Sequence, residues 1–357
     1  MPLAGKSEGD PLDVPATTGE PAALLRVNDL RVHFPVRRGL LGRGGGPVRA
    51  VDGVSFALPR GETLGLVGES GCGKTTAGRA ILRLIPATSG HVEFDGADVF
   101  ALGARALRAQ RRHMQIVFQD PYGSLNPRMT VEDIVGEPLL VHRLASRRKR
   151  REEVAAALER VGIAAAGMSR YPHEFSGGQR QRISIARAMI LRPRFVVCDE
   201  CVSALDVSVQ SQILNLLADL QAELGVAYLF IAHNLAVVRQ ISRRIAVMYL
   251  GRIVEIGGAE ELFDRPAHPY TRLLLSSIPR IETVEQETRR PLRVLGEAPS
   301  PLHAPAGCAF HPRCPLADDR CRRESPALEP KNGLAPDHRV ACHYPDPKLT
   351  WPLQELR

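Results

Sequence analysis

At 357 residues, against roughly 150 per domain, the chain has room for two domains or for one large domain with an appendage. Hydrophobic residues make up 44% and charged residues 24%, ordinary values for a packed protein, and a chain this long buries a full core, which excludes whole-chain disorder and a disulfide-stapled miniature fold. The formal net charge of +8 permits contact with nucleic acid or an anionic membrane surface and specifies neither. No apolar run approaches the ~20 residues of a membrane span, and the polar start MPLAGKSEGDPLDVPATTGEP has no apolar segment of a secretory signal. The expectation is a cytosolic protein.

Residues 1–22, rich in Pro, Gly and small side chains, read as a loose tail, and the alternation LLRVNDLRVHF from Leu24 to Phe34 reads as a strand. Residues 35–47 (PVRRGLLGRGGGP) form a flexible insertion, since three glycines and a proline in succession cannot continue a regular element. Short apolar runs follow at Leu64–Val67, Met114–Phe118, Phe195–Cys198, Ala227–Ile231 and Ile245–Tyr249. Bounded by Gly, Pro or charge, they fit buried strands of a mostly parallel sheet. Helical periodicity separates them, as at Val154–Val161 and Gln210–Leu224, which makes the fold class α/β. The basic run Arg147–Arg151, followed by Glu152 and Glu153, reads as a solvated helix start. After about Gly258 proline becomes frequent and periodicity fades, so a second module is expected there.

Seven cysteines in such a chain point to metal or reactivity rather than disulfides. Cys72, Cys198 and Cys201 stand apart, whereas Cys308, Cys314, Cys321 and Cys342 gather within GCAFHPRCPLADDRC and RVACH near the end. Four thiolates in one small module suit a tetrahedral zinc or a 4Fe–4S cluster. His311 and His343 need no role beyond that of ordinary exposed histidines.

The segment GLVGESGCGKTT (65–76) follows an apolar strand and opens a helix, and Gly68, Gly73, Lys74 and Thr75 match G-x-x-x-x-G-K-[ST]. Its glycines, with Ser70, Gly71, Cys72 and Thr76 between and beyond them, let backbone N–H groups curl around phosphate oxygens at a helix N-terminus. Lys74 would reach the β- and γ-phosphates of ATP and the Thr75 hydroxyl would ligate Mg²⁺. In RFVVCDE (194–200) a buried strand ends in two carboxylates. Asp199 suits a Mg²⁺ contact, and Glu200 is placed to polarise an attacking water.

With SGGQRQRISIARA (176–188) and VSALD (202–206) the chain resembles the nucleotide-binding subunits of ABC transporters over about residues 24–256. Ser176, Gly177, Gly178 and Gln179 match that family's signature, with Phe175 where Leu is commoner. Gln119 in VFQDP matches the Q-loop, and Ser203, Ala204, Leu205 and Asp206 match the D-loop, with Cys201 where Pro is usual. His233 in FIAHN matches the switch histidine, followed by Asn234 in place of the frequent Asp. The resemblance implies a RecA-like P-loop ABC nucleotide-binding domain with a helical subdomain at about 103–188, in which Phe34 stacks on adenine. It implies Glu200 as general base, His233 holding the γ-phosphate side, and Gln119 sensing Mg²⁺ and water while linking the site to a membrane partner. Two such domains meet head to tail, so Ser176–Gln179 would bind ATP held by the partner's P-loop.

QDPYGSLNPRMTV (119–131), HPYTRLLLSSIP (268–279) and the terminal cysteines narrow the resemblance to the oligopeptide/dipeptide permease ATPases, in the branch beginning LRVHFPVRRG and VRAVDGVSF. That resemblance divides the chain into a tail (1–22), an ABC ATP-binding domain (23–257), a small C-terminal cysteine-containing module (258–345) and a closing tail (346–357), and it favours a structural 4Fe–4S cluster on Cys308, Cys314, Cys321 and Cys342 over zinc or no metal. It also implies an ATPase subunit at the cytoplasmic face of the cell membrane, powering import of peptides. Its partners would be two integral permease subunits, a second and different ABC ATPase, and indirectly an extracytoplasmic solute-binding protein. Residues Tyr122 to Met129 would receive a permease helix, and no nucleic acid would be bound. A soluble ABC ATPase acting on nucleic acid or ribosomes is the alternative, set back by the single P-loop and single signature; an exporter half is set back by the lack of a fused span.

Overall fold

The computed structural model describes residues 23–35, 46–278, 299–300, 302 and 304–345. The two expected tails and residues 36–45 of the expected insertion lie outside them.

Twelve strands form two sheets among these residues: β1 (Ala23–Phe34), β2 (Val48–Pro59), β3 (Thr63–Val67), β4 (Ser89–Phe94), β5 (Ala97–Asp98), β6 (Met114–Val117), β7 (Phe195–Asp199), β8 (Ala227–Ala232), β9 (Arg244–Tyr249), β10 (Arg252–Gly258), β11 (Glu329–Pro330) and β12 (Arg339–Val340). The first sheet is antiparallel in the order β2-β1-β4-β5; the second runs β11-β12-β10-β9-β3-β8-β7-β6. Its middle, β9-β3-β8-β7-β6, is parallel, as the apolar runs predict. Those runs are continuous because both faces are covered. Along β8, Tyr228, Phe230 and Ala232 join one core cluster while Ala227, Leu229 and Ile231 join the other.

The helices are α1 (Lys74–Ile81), α2 (Ala104–Arg111), α3 (Pro121–Ser124), α4 (Val131–Val141), α5 (Arg147–Arg160), α6 (Gly177–Met189), α7 (Val207–Leu224), α8 (Leu235–Ile241), α9 (Ala259–Asp264), α10 (Pro269–Ser276) and α11 (Asp319–Arg323). α1 packs beneath the antiparallel sheet through Ala77, Ala80 and Ile81. α4, α5 and α6 pack on one another through Ile134, Val135, Val154, Leu158 and Ile183, a helical layer within the span expected for a subdomain. The basic run opens α5 as expected. Ser146 caps it, and Arg148 and Lys149 reach Glu152 and Glu153 one turn on, each at 3.1 Å.

The segment after 258 does not stand apart from this frame. β12 pairs antiparallel with β10, Glu255 opposite Val340 and Ile256 opposite Arg339, so the chain's end extends the sheet edge. The join is held by Glu255, fully buried on β10. Its carboxylate accepts the N–H groups of Ala267 (2.8 Å) and His268 (3.0 Å) and lies 2.7 Å from His338 Nε2.

Candidate active site

Between the end of β3 at Val67 and the start of α1 at Lys74 the chain must turn within six residues. Two glycines make that possible. A Cβ at Gly73, where φ is 108°, would stand 1.9 Å from the Ala50 carbonyl oxygen, and one at Gly68 would stand 2.2 Å from that of Met248. Both obstructions are backbone and cannot swing aside. Gly73 caps α1 without any side-chain hydrogen bond, so the helix meets the loop with its N-terminal N–H groups open to an anion. Ser70 and Gly71 lie on the exposed rim, and Cys72 turns inward. Lys74 is buried, and its Nζ donates to the carbonyls of Gly68 (2.8 Å) and Glu69 (3.0 Å), which hold it across the loop. The arrangement is a cradle whose open N–H groups and buried ammonium suit phosphate.

Opposite the cradle stand the acids at the end of β7. Thr75 Oγ1 donates to Asp199 Oδ1 at 2.6 Å. Asp199 Oδ2 is buried without a hydrogen bond, the Arg79 guanidinium standing 3.8 Å away. Burial pushes the Asp199 pKa up, against the pull of Thr75 and Arg79. A hydroxyl beside a carboxylate with an orphaned buried oxygen is an oxygen donor set of the kind Mg²⁺ takes, so these residues fit that ion.

Glu200 follows with φ at 46°, in the left-handed region, a strain that the N–H bond to the Ile231 carbonyl (3.0 Å) helps hold. Its carboxylate accepts from Gln119 Nε2 at 2.8 Å and lies 3.9 Å from both Lys74 Nζ and His233 Nδ1. Gln119 from beyond β6, Lys74 from the start of α1 and His233 from beyond β8 thus converge on one carboxylate. Thr76 opens α1 half-buried beside them.

Phe34 ends β1 opposite Val48, with its ring exposed, and Ala50 two residues along β2 is the strand position that meets Gly73. The aromatic therefore sits on the hairpin abutting the cradle. The signature residues bond within their own turn: Ser176 Oγ accepts the Gln179 N–H (3.3 Å), and Gln179 Oε1 accepts the Ser176 N–H (3.0 Å), a capping box. Gly177 and Gly178 lead α6, with Gly178 against Val209 of α7. Ser203 Oγ donates to the Glu200 carbonyl (2.9 Å), Ala204 is exposed, Leu205 packs on the core, and Asp206 caps α7 by accepting the Val209 N–H (2.9 Å). That loop runs from Glu200 to Val209, the neighbour of Gly178.

The four C-terminal thiols are near one another but form no cage. Burial pushes Cys314 and Cys342 up to about 12, and the neighbouring cysteines add to both shifts. Yet Cys308 and Cys314 pack on the large helical core, while Cys342 packs with Ala267 and Val340 in another cluster. Among the described residues no group of three or more His, Cys, Asp or Glu is arranged to hold a metal ion. The expected 4Fe–4S site on Cys308, Cys314, Cys321 and Cys342 is therefore not supported: Cys308 and Cys314 pack on one cluster and Cys342 on another.

Sequence reasoning passed over Glu69, Tyr249, Tyr270 and Arg313. Glu69 sits inside the cradle, and its carboxylate accepts both terminal nitrogens of Arg313 at 3.0 Å. Its N–H donates to the Tyr270 hydroxyl at 2.8 Å. The charged residue at a variable position of the phosphate loop was the available signal.

Known proteins place this geometry. The family model described as ABC transporter matches residues 51–203, and that described as oligopeptide/dipeptide transporter, C-terminal region, matches residues 254–321. The oligopeptide transport ATP-binding protein AppF of Bacillus subtilis is 50% identical over 92% of this chain and 99% of its own length. The di/tripeptide transport ATP-binding protein DppF of Pseudomonas aeruginosa is 50% identical over 90% of this chain and 97% of its own. Among solved structures, cbiO1 of Clostridium perfringens, part of the ABC transporter complex cbiONQ, superposes with a TM-score of 0.58 at 27% identity, covering 68% of this chain and 90% of its own. The dimeric ATP-binding cassette MJ0796, in a post-hydrolysis state bound to ADP and Pi, gives 0.58 at 25% identity, covering 66% and 98%. The chain carries the ABC ATPase fold and belongs to the ABC transporter family of ATP-hydrolysing subunits, in the group that bears the oligopeptide/dipeptide transporter C-terminal region.

Proposed function

We propose that the chain hydrolyses ATP at the cytoplasmic face of the membrane to drive import of oligopeptides or dipeptides. The observation that carries this is the convergence of Lys74, Gln119, Glu200 and His233 beside the Thr75–Asp199 pair, in a chain half-identical to peptide transport ATPases along nearly its whole length.

ATP lies with its triphosphate in the loop of Gly68–Thr76, its β- and γ-phosphates taken by Lys74, which gives up the carbonyls of Gly68 and Glu69. Phe34 stacks on the base. Mg²⁺, when bound through Thr75, Gln119 and Asp199, neutralises charge developing on the β- and γ-phosphate oxygens. Glu200 takes a proton from water as its oxygen attacks the γ-phosphorus, the bond from that phosphorus to the ADP oxygen breaks, and ADP and phosphate leave. Gln119 holds the Glu200 carboxylate in place, and His233 contacts the γ-phosphate side. Ser176, Gly177, Gly178 and Gln179 close over the nucleotide of a second ATPase subunit. The dimeric state of the ABC cassette similar in fold supports that reading. Ser203–Asp206 then links the two sites across the dimer.

Within this reading residues 23–257 form the ATP-binding domain, 103–188 its helical subdomain and 258–345 the C-terminal module. No described helix is long and apolar enough to cross a membrane, so the translocation path comes from partners. These are two integral permeases and a second, different ATPase, with a solute-binding protein acting outside. No observation favours the nucleic-acid alternative. Affinity purification of tagged chain from gently solubilised native membranes tests the proposal. Two integral permeases and a second ABC ATPase are expected; ribosomal or DNA-associated proteins with no permease would overturn it.

A further inference from the structure

The phosphate loop is gripped from outside at one residue, and the grip comes from the far end of the sequence. Glu69 is the first residue after Gly68, in a stretch whose glycines supply no side-chain restraint. Both oxygens of its carboxylate are paired with Arg313 Nη1 and Nη2 at 3.0 Å, a fork-to-fork geometry that fixes orientation as well as distance. Its N–H is taken by the hydroxyl of Tyr270, a fully buried residue of α10.

Those two side chains are themselves held. Arg313 is nearly buried and lies 5.8 Å from the ring centres of both Tyr249 and Phe310. Tyr249 and Tyr270 meet with their rings tilted at 56° and centres 4.6 Å apart, and Phe310 meets each of them, at 5.3 and 5.5 Å. Tyr270 is aimed by His268, whose Nδ1 accepts the Tyr270 N–H at 3.0 Å and whose own N–H is anchored on Glu255. A rigid aromatic box thus presents one guanidinium and one hydroxyl to the loop that must hold a triphosphate.

We propose that Arg313 and Tyr270 are positioning residues for ATP, by which the C-terminal region sets the conformation and charge of the phosphate loop through Glu69. The Tyr270 bond points the Glu69 N–H away from the cradle and fixes where the following N–H groups begin to curl. Arg313 neutralises a carboxylate carried by the phosphate loop itself. Without Arg313 the loop carries an uncompensated negative charge beside an anionic ligand, and the two repel. The inference rests on the reading of residues 68–76 as the ATP cradle.

The test is calorimetric titration of the full chain with MgATP, alongside thermal unfolding. Arg313→Ala is expected to weaken binding about tenfold, the usual scale of coupling between contacting charged groups. Glu69→Gln introduced into that variant is expected to recover most of the loss, because it deletes the stranded charge. Arg313→Lys, which keeps charge without the fork, should fall between. Wild-type affinity in Arg313→Ala overturns the proposal. So does a weakened variant that Glu69→Gln fails to rescue while the unfolding midpoint falls, since that is the behaviour of a purely structural residue. Tyr270→Phe keeps the ring and deletes only the acceptor oxygen; it serves should Arg313→Ala not fold, with a few-fold loss expected and equal affinity refuting. Lys74→Ala separates the two readings. Loss of binding there with normal Arg313→Ala condemns the positioning role alone, whereas unchanged binding in Lys74→Ala condemns the cradle itself.

Discussion

Glu200→Gln isolates the proton-accepting step. The exchange is isosteric, and its amide oxygen still accepts the Gln119 bond now made at 2.8 Å, so the backbone held at positive φ has no reason to move. What disappears is a negative charge 3.9 Å from Lys74 Nζ and 3.9 Å from His233 Nδ1. A general base contributes about 10²–10⁴-fold, so turnover should fall by that factor, about 3–5 kcal/mol on the barrier at 1.36 kcal/mol per decade. Binding should move the other way. The carboxylate competes with phosphate for Lys74, and a pair at this separation is worth about 1 kcal/mol, so MgATP should bind about fivefold tighter. The assay is phosphate release by the reconstituted importer with the partner subunit's site inactivated, with calorimetry on the same variant. Undiminished turnover would refute the general-base role. Reduced turnover with weaker ATP binding would refute the electrostatic argument, since it would mean that the carboxylate supports the nucleotide rather than competing with it.

Two other outcomes are expected. Stability should peak in mildly acid solution. His338 has its pKa raised: burial opposes the charged form, but the Glu255 carboxylate outweighs it, so its stabilisation is complete below the unfolded value of about 6.5 and is lost as pH rises through the folded value. Burial holds His268 down at about 4, so its contribution is complete above the unfolded value and is lost as pH falls towards that figure. Thermal midpoints across pH 4–8 should show His338→Gln removing the alkaline limb and His268→Asn, which keeps an acceptor for the Tyr270 N–H, removing the acid limb; unchanged limbs would exclude these groups. The second concerns the cysteines. With Cys308 and Cys314 packed on one cluster and Cys342 on another, anaerobically purified protein should be colourless, and Cys314→Ser should leave its metal content unchanged. Stoichiometric iron, lost in that variant, would show the four thiols closing around a cluster.

The parallel strands were legible because each is buried on both faces and so reads as an unbroken apolar run: Leu64–Val67 lies in β3 and Ala227–Ile231 in β8. The antiparallel sheet was only half legible. β1 alternates visibly, but β4 and β5 are short, and β4 is set by its pairing with β1 and β5 by its pairing with β4 rather than by any pattern of their own. The turn from Gly68 to Gly73 announced itself because a tight turn against backbone demands glycine at fixed spacing, as the close approach of Ala50 to Gly73 shows. Four thiols close in sequence carry no statement about which core each one joins: Cys308 and Cys314 pack on one cluster and Cys342 on another.

By itself the sequence determined the layered α/β frame, the phosphate loop, the paired acids ending β7 and the resemblance that orders them, because each depends on neighbours in the chain or on a short periodicity. Only the tertiary structure decided that Gln119, Lys74 and His233 meet on Glu200, that β12 completes the edge beside β10, and that Arg313 closes on Glu69 across 244 positions. The physical reason is the same in each case. Such contacts form between residues that the sheet brings together from distant strands, and no local propensity encodes which partner a buried charge will find.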